Sequence, residues 1–145
     1  MRVEKKAIGE GIRQSYKKAE SMGCPLATAD AHVNLKNRNY AIKEYGYGPL
    51  NPKEPSEDFW NQKSKMWSVT VEEAKKSRCS NCAAFIKTAQ MIGCISKGME
   101  VSDEPHKDYS LDVIKAANLG YCELFHFKCA GSRTCDAWIV GGPIV

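Results

Sequence analysis

The chain has 145 residues, 43% of them apolar and 26% charged, with a net charge of +4. That length suits one domain with an extension, and the thin supply of large aliphatic residues suggests a core that needs help from a metal or disulfides. No stretch approaches the run of about 18 apolar residues that crosses a membrane, and no apolar segment follows Met1 as a secretory signal would.

The excess charge lies early. Residues 1–22 hold Arg2, Lys5, Lys6, Arg13, Lys17 and Lys18 against three glutamates. With no aromatic or Gly-rich pattern accompanying the charge, this reads as a solvated helix face, and nucleic acid is not indicated. Ala7, Ile8, Ile12, Tyr16 and Ala19 predict a helix over 7–22 that stops at Gly23. A second helix is expected from Asn34 to Tyr45, with Leu35, Ala41, Ile42 and Tyr45 on one side. Three prolines and two glycines between Tyr45 and Pro55 then break the chain. This elbow divides an N-terminal extension, residues 1–55, from residues 56–145.

Ser56 is expected to cap a short helix that buries Phe59, Trp60, the Lys63 stem and Trp67. Thr70-Val71-Glu72-Glu73 has the spacing of a capping box. Helical spacing resumes through Cys79, Cys82, Phe85, Ile86, Ala89 and Ile92. Residues 96–109 read as a polar loop. Ser110 would cap a helix holding Leu111, Ile114 and Ala117, ended near Asn118 and Gly120. Alternation around Cys122, Leu124 and His126 suits a strand, and Trp138-Ile139-Val140 suits another.

Seven cysteines are an odd count, so at least one thiol is used outside intramolecular disulfides. In the reducing cytoplasm expected for a chain without a signal, grouped cysteines are more often metal ligands than staples. Cys79-Ser-Asn-Cys82 could be a zinc knuckle, a redox pair or half of a cluster site. A helix start there would favour its thiolates. No second C-x-x-C follows, which lowers the weight of a four-cysteine zinc site. His126 keeps a three-cysteine, one-histidine site open. The ferredoxin spacings are also absent.

The set Cys79-Ser-Asn-Cys82, Cys122-Glu-Leu-Phe125, Lys128 and Cys135-Asp-Ala-Trp138 resembles the high-potential iron–sulfur proteins over roughly residues 56–145. That resemblance implies one 4Fe–4S cluster per chain, liganded by Cys79, Cys82, Cys122 and Cys135. Phe85, Phe125 and Trp138 would belong to its apolar shell. Family members add a tyrosine from an early segment, for which Tyr45 and Tyr47 both qualify. The implied fold is a small, irregular α+β domain, with short helices and a few antiparallel strands around the cluster. Cys24, Cys94 and Cys129 are left over and read as small buried hydrophobes, with Cys129 an alternative late ligand.

Two departures stand out. The stretch from Cys82 to Cys122 is longer than in the family, which places an insertion at Met91–Gly120. The export signal of typical members is missing, so the chain looks closer to signal-less members encoded by bacteriophages. The expected role is one-electron transfer rather than enzymatic catalysis. The alternative is a structural component of a larger assembly, such as a virion, in which the cluster stabilises the fold. In either role the N-terminal extension would meet a protein partner, a redox partner or the larger assembly. The expected location is the cytoplasm or a phage particle.

Overall fold

A computed structural model describes residues 23–102 and 113–145, with the backbone alone for 99–102. The expected helix over 7–22, and the cap at Ser110, lie outside the described residues. The fold is a small α+β arrangement of short helices and a three-stranded antiparallel sheet.

A one-turn helix α1 (Leu26–Ala29) leads into α2 (Ala31–Tyr45). The start of α2 lies earlier than the expected Asn34 because the Asp30 side chain accepts the His32 and Val33 N–H groups, at 3.0 and 3.2 Å. Gly46 ends the helix in the left-handed conformation. Ala41 is buried as expected, but Leu35 is half-exposed, so the packed face is rotated from the expected one.

Helix α3 (Glu57–Trp67) buries Trp60 and Lys63 as expected. Ser56 does not cap it: its backbone is left-handed and its hydroxyl donates to the Glu54 carbonyl instead. Thr70 does cap α4 (Val71–Lys76), accepting the Glu73 N–H at 3.1 Å.

The expected helix through Cys79–Ile92 is three pieces: a 3-10 turn (Cys79–Asn81), strand β1 (Phe85–Ile86) and helix α5 (Ala89–Ser102). Helix α5 fills much of the expected loop at 96–109. Residues 113–117 are helical, and Asn118 turns the chain with a positive φ. Strands β2 (Leu119–Cys122) and β3 (Phe127–Ala130) form a hairpin whose turn occupies 123–126. The expected strand across that turn is therefore cut at Cys122. Trp138–Val140 is not a strand, and it is Ile144 that bridges Ile86 further along.

The sheet order is β1-β2-β3, with Phe85 opposite Cys122, Gly120 opposite Cys129, and Cys122 opposite Phe127. Paired residues share a face and neighbours alternate. One face thus carries Phe85, Cys122, Phe127 and Cys129, and the other carries Ile86 and Tyr121. Gly120 belongs to the first face, where the Phe85 ring lies so close that any Cβ would overlap it.

Each face owns a core. The first gathers Cys79, Cys82, Phe85, Phe127, Cys129 and Trp138 with Ala41 and Tyr47. The second gathers Ile86, Tyr121, Met91, Cys94, Ile95, Ile114 and Ala27. The expected insertion, Met91–Gly120, supplies most of the second core. Residues from before the elbow contribute to both.

Cys24 and Cys94 form a disulfide, with Cα atoms 5.6 Å apart and a sequence separation of 70. This corrects their reading as small buried hydrophobes; Cys24 is in fact exposed. The bond ties α1 to α5, where Gly98 lets the Thr28 backbone approach. In the chain-entropy account a loop of this length is worth up to about 4 kcal/mol. We expect Cys24→Ser with Cys94→Ser to lower stability by about 2–4 kcal/mol in urea unfolding. An unchanged midpoint would remove the disulfide from the account of the fold.

Lys63 is buried and its ammonium meets Asp136 Oδ1, the Gly46 carbonyl at 3.1 Å and the Phe59 ring at 4.6 Å. This pair joins α3 to the elbow and to the segment after Cys135. Asp136→Ala leaves a buried cation without its counter-charge and should cost about 3 kcal/mol. Lys63→Met should cost less, because the Asp136 side chain retains 23% exposure and can be solvated. The reverse order in denaturant midpoints would contradict this division of burial.

Candidate metal centre

Three turns and one strand meet at a single cavity. It is lined by Cys79, Cys82, Cys122, Cys129 and Cys135 together with Tyr47, Phe85, Leu124, Phe125 and Phe127. Its volume is about 340 Å³, counting the part that opens to solvent. None of these five cysteines is in a disulfide.

Cys79 and Cys82 lie on a short turn, so the helix-start stabilisation expected for them is missing. Their turn is held otherwise: the Cys79 N–H donates to Arg133 O at 2.6 Å, and the Cys82 N–H to Cys79 O at 2.9 Å. Trp138 explains the tryptophan three places after Cys135. Its indole N–H donates to Arg78 O at 2.9 Å and Asn81 Oδ1 at 3.0 Å. The ring thereby pins the Cys135 segment against the Cys79–Cys82 turn. Trp138 is buried in the same core but does not line the cavity, whereas Phe85 and Phe125 do.

Cys122 ends β2 and the turn behind it doubles back, with the Phe125 N–H 3.4 Å from Cys122 Sγ. The Ile139 N–H stands at the same distance from Cys82 Sγ. The Ala137 N–H is directed at Cys135. Backbone N–H groups aimed at sulfur favour the thiolate form. Gly142 keeps the C-terminal segment close, since a Cβ there would overlap the Cys82 carbonyl.

Cys129 differs. It sits within the β2–β3 ladder, and its sulfur lies within hydrogen-bonding reach of Cys79. It is buried, as its reading as a small hydrophobe requires, and it also faces the cavity. Its place between Cys122 and Cys135 makes it the alternative late ligand in the sequence. A further signal is the alternation of Phe127 and Cys129 with Lys128, which places both inward on one strand.

Tyr47 is the early tyrosine that reaches the cavity; its hydroxyl accepts the Ala130 N–H at 2.9 Å and its ring meets Phe127 edge-on. Tyr45 packs on Phe125 from outside, with ring centroids 4.5 Å apart. His126 occupies the β2–β3 turn with positive φ and is exposed. It is absent from the cavity lining.

Burial pushes the Cys122, Cys129 and Cys135 thiols up, and the neighbouring sulfurs add to the shift. Among the described residues, no three His, Cys, Asp or Glu side chains converge on a point that could hold one metal ion. The five cysteine sulfurs instead line one space. No protein-family model matches the chain, and neither does any curated protein or solved structure.

Raised thiol values give the metal-free chain a defined pH response. Its thiol-linked stability is fully present below the ordinary thiol range, about pH 8.5. It is lost as pH climbs, because unfolded thiols ionise first. The urea midpoint of metal-free protein should be level from about pH 6 to 8 and fall by about pH 10. A level midpoint throughout would contradict the burial of these sulfurs.

Proposed function

We propose that this chain binds one 4Fe–4S cluster of the high-potential type and serves in one-electron transfer. Cys79, Cys82, Cys122 and Cys135 would each hold one iron. The observation that carries the reading is the convergence of these four cysteines, from three separate turns, on one aromatic-walled cavity. A cluster binds each thiolate at a different iron, so its ligands need to face one space rather than one point.

The donor chemistry fits in a second respect. Thiolates buried together repel one another, and iron offsets that charge. Amide N–H groups at Cys82, Cys122 and Cys135 offset more of it. Those amides also favour Cys135 over Cys129 as the late ligand, since a residue inside a ladder has its neighbouring N–H groups engaged. A bound cluster supplies a one-electron couple. The chain's own part is to exclude water with Phe85, Phe125, Phe127 and Tyr47, and to hold the sulfurs in place.

A second reading has its own observation. The Cys24–Cys94 disulfide needs an oxidising setting, and such bonds persist on extracellular and virion surfaces. It favours a component of an assembly outside the cytoplasm, with the cluster as a clasp on the first core and the disulfide as a clasp on the second.

Protein purified without oxygen should be brown and contain about four irons and four acid-labile sulfides per chain. Cys135→Ala should lose the iron, while Cys129→Ala should retain most of it. Stoichiometric zinc in a colourless preparation would overturn the proposal, and loss confined to the Cys129 variant would reassign the fourth ligand. Reversible one-electron cycling supports the carrier role, and irreversible decay on oxidation or reduction supports the clasp.

A further inference from the structure

From the cavity wall an aromatic path leads outward. Phe125 lines the cavity, and its N–H lies 3.4 Å from Cys122 Sγ. Its ring contacts Tyr45 at 4.5 Å and Tyr40 at 6.3 Å between centroids. Tyr40 and Tyr45 are themselves 6.0 Å apart, and Tyr40 is 53% exposed. Both tyrosines belong to α2, so a helix from outside the cysteine-bearing segment forms the outer end of the path.

The surroundings of Tyr40 carry charge. Residues three and four places away on a helix share its face, and here these are Lys36, Asn37, Lys43 and Glu44. Lys36, Lys43 and Glu44 are exposed. The two lysines flank the ring on opposite sides along the helix, against one glutamate. Apolar contact area with a cationic rim fits an acidic partner surface.

We propose that the Tyr40–Tyr45–Phe125 patch is the electron-exchange surface of this protein, and that it docks a redox protein through an acidic face. This rests on the cluster reading above. The step is the transfer of one electron between the bound cluster and the partner's redox centre, with no bond made or broken.

Measurements on the full chain separate the claims. Iron and sulfide content is measured first for wild type, for Lys36→Glu with Lys43→Glu, and for a control pair, Lys53→Glu with Lys75→Glu. The control changes net charge equally on other elements. Hexacyanoferrate(III), a small anionic oxidant, is then mixed rapidly with reduced protein at low ionic strength. The α2 pair should slow oxidation by about tenfold, and the control pair should slow it much less. With tris(phenanthroline)cobalt(III), a cationic oxidant, the α2 pair should speed the reaction. Poly-glutamate should inhibit the wild-type reaction and spare the α2 pair, which tests docking of an acidic polypeptide. Tyr40→Ala should slow exchange with both oxidants. Loaded protein with equal rates in the α2 and control pairs, or poly-glutamate without effect, overturns the patch and leaves the cluster reading standing. Protein without iron overturns both.

Discussion

The energetic centre of this molecule is the crowding of five cysteine sulfurs into one apolar cavity. Ionised thiols there have lost water and lie beside other sulfurs, so the site disfavours the thiolate form. Backbone N–H groups supply part of the compensation. Here they come from turns, where amides not engaged in helix or strand pairing can point at a side chain. This explains why Cys82, Cys122 and Cys135 each stand at a chain reversal, and why the cavity is built from loops anchored on a small sheet.

That sheet divides the protein into two halves of different chemistry. Strict alternation sends Phe85, Cys122, Phe127 and Cys129 to one side and Ile86 and Tyr121 to the other. On the first side the core is rich in sulfur and aromatic rings; on the second it is mostly aliphatic side chains around Tyr121, closed by a disulfide. The separation keeps the disulfide cysteines away from the five that line the cavity. A one-residue slip of β2 would put Cys122 into the second core and Tyr121 into the cavity. Gly120, where the Phe85 ring leaves no room for a side chain, opposes such a slip.

Residues of the N-terminal extension, the elbow included, are part of this construction. Tyr47 closes the cavity, Ala41 packs beneath it, and Asn34 accepts the Lys128 N–H at 2.7 Å to hold α2 on β3. The antiparallel bridge between Gly48 and Thr134 and the Lys63–Asp136 pair carry the elbow to the segment around Cys135. The position of the last cysteine thus depends on residues far from it in sequence.

The resemblance, not spacing by itself, pointed to Cys79, Cys82, Cys122 and Cys135, and all four line the cavity together with Cys129. The sequence alone was enough for the elbow, the Thr70 cap and the buried side of α3, which follow from turn chemistry, short-range spacing and one helical period. It could not show that the segment after Cys79 would break into turn, strand and helix, since a short apolar run satisfies both periods and strand pairing is decided by distant residues. Tertiary structure alone decided that Cys129 joins the cavity, that Tyr47 and not Tyr45 lines it, and that Cys24 pairs with Cys94. Each of those outcomes depends on which faces meet across the fold, a property that no local window of residues contains.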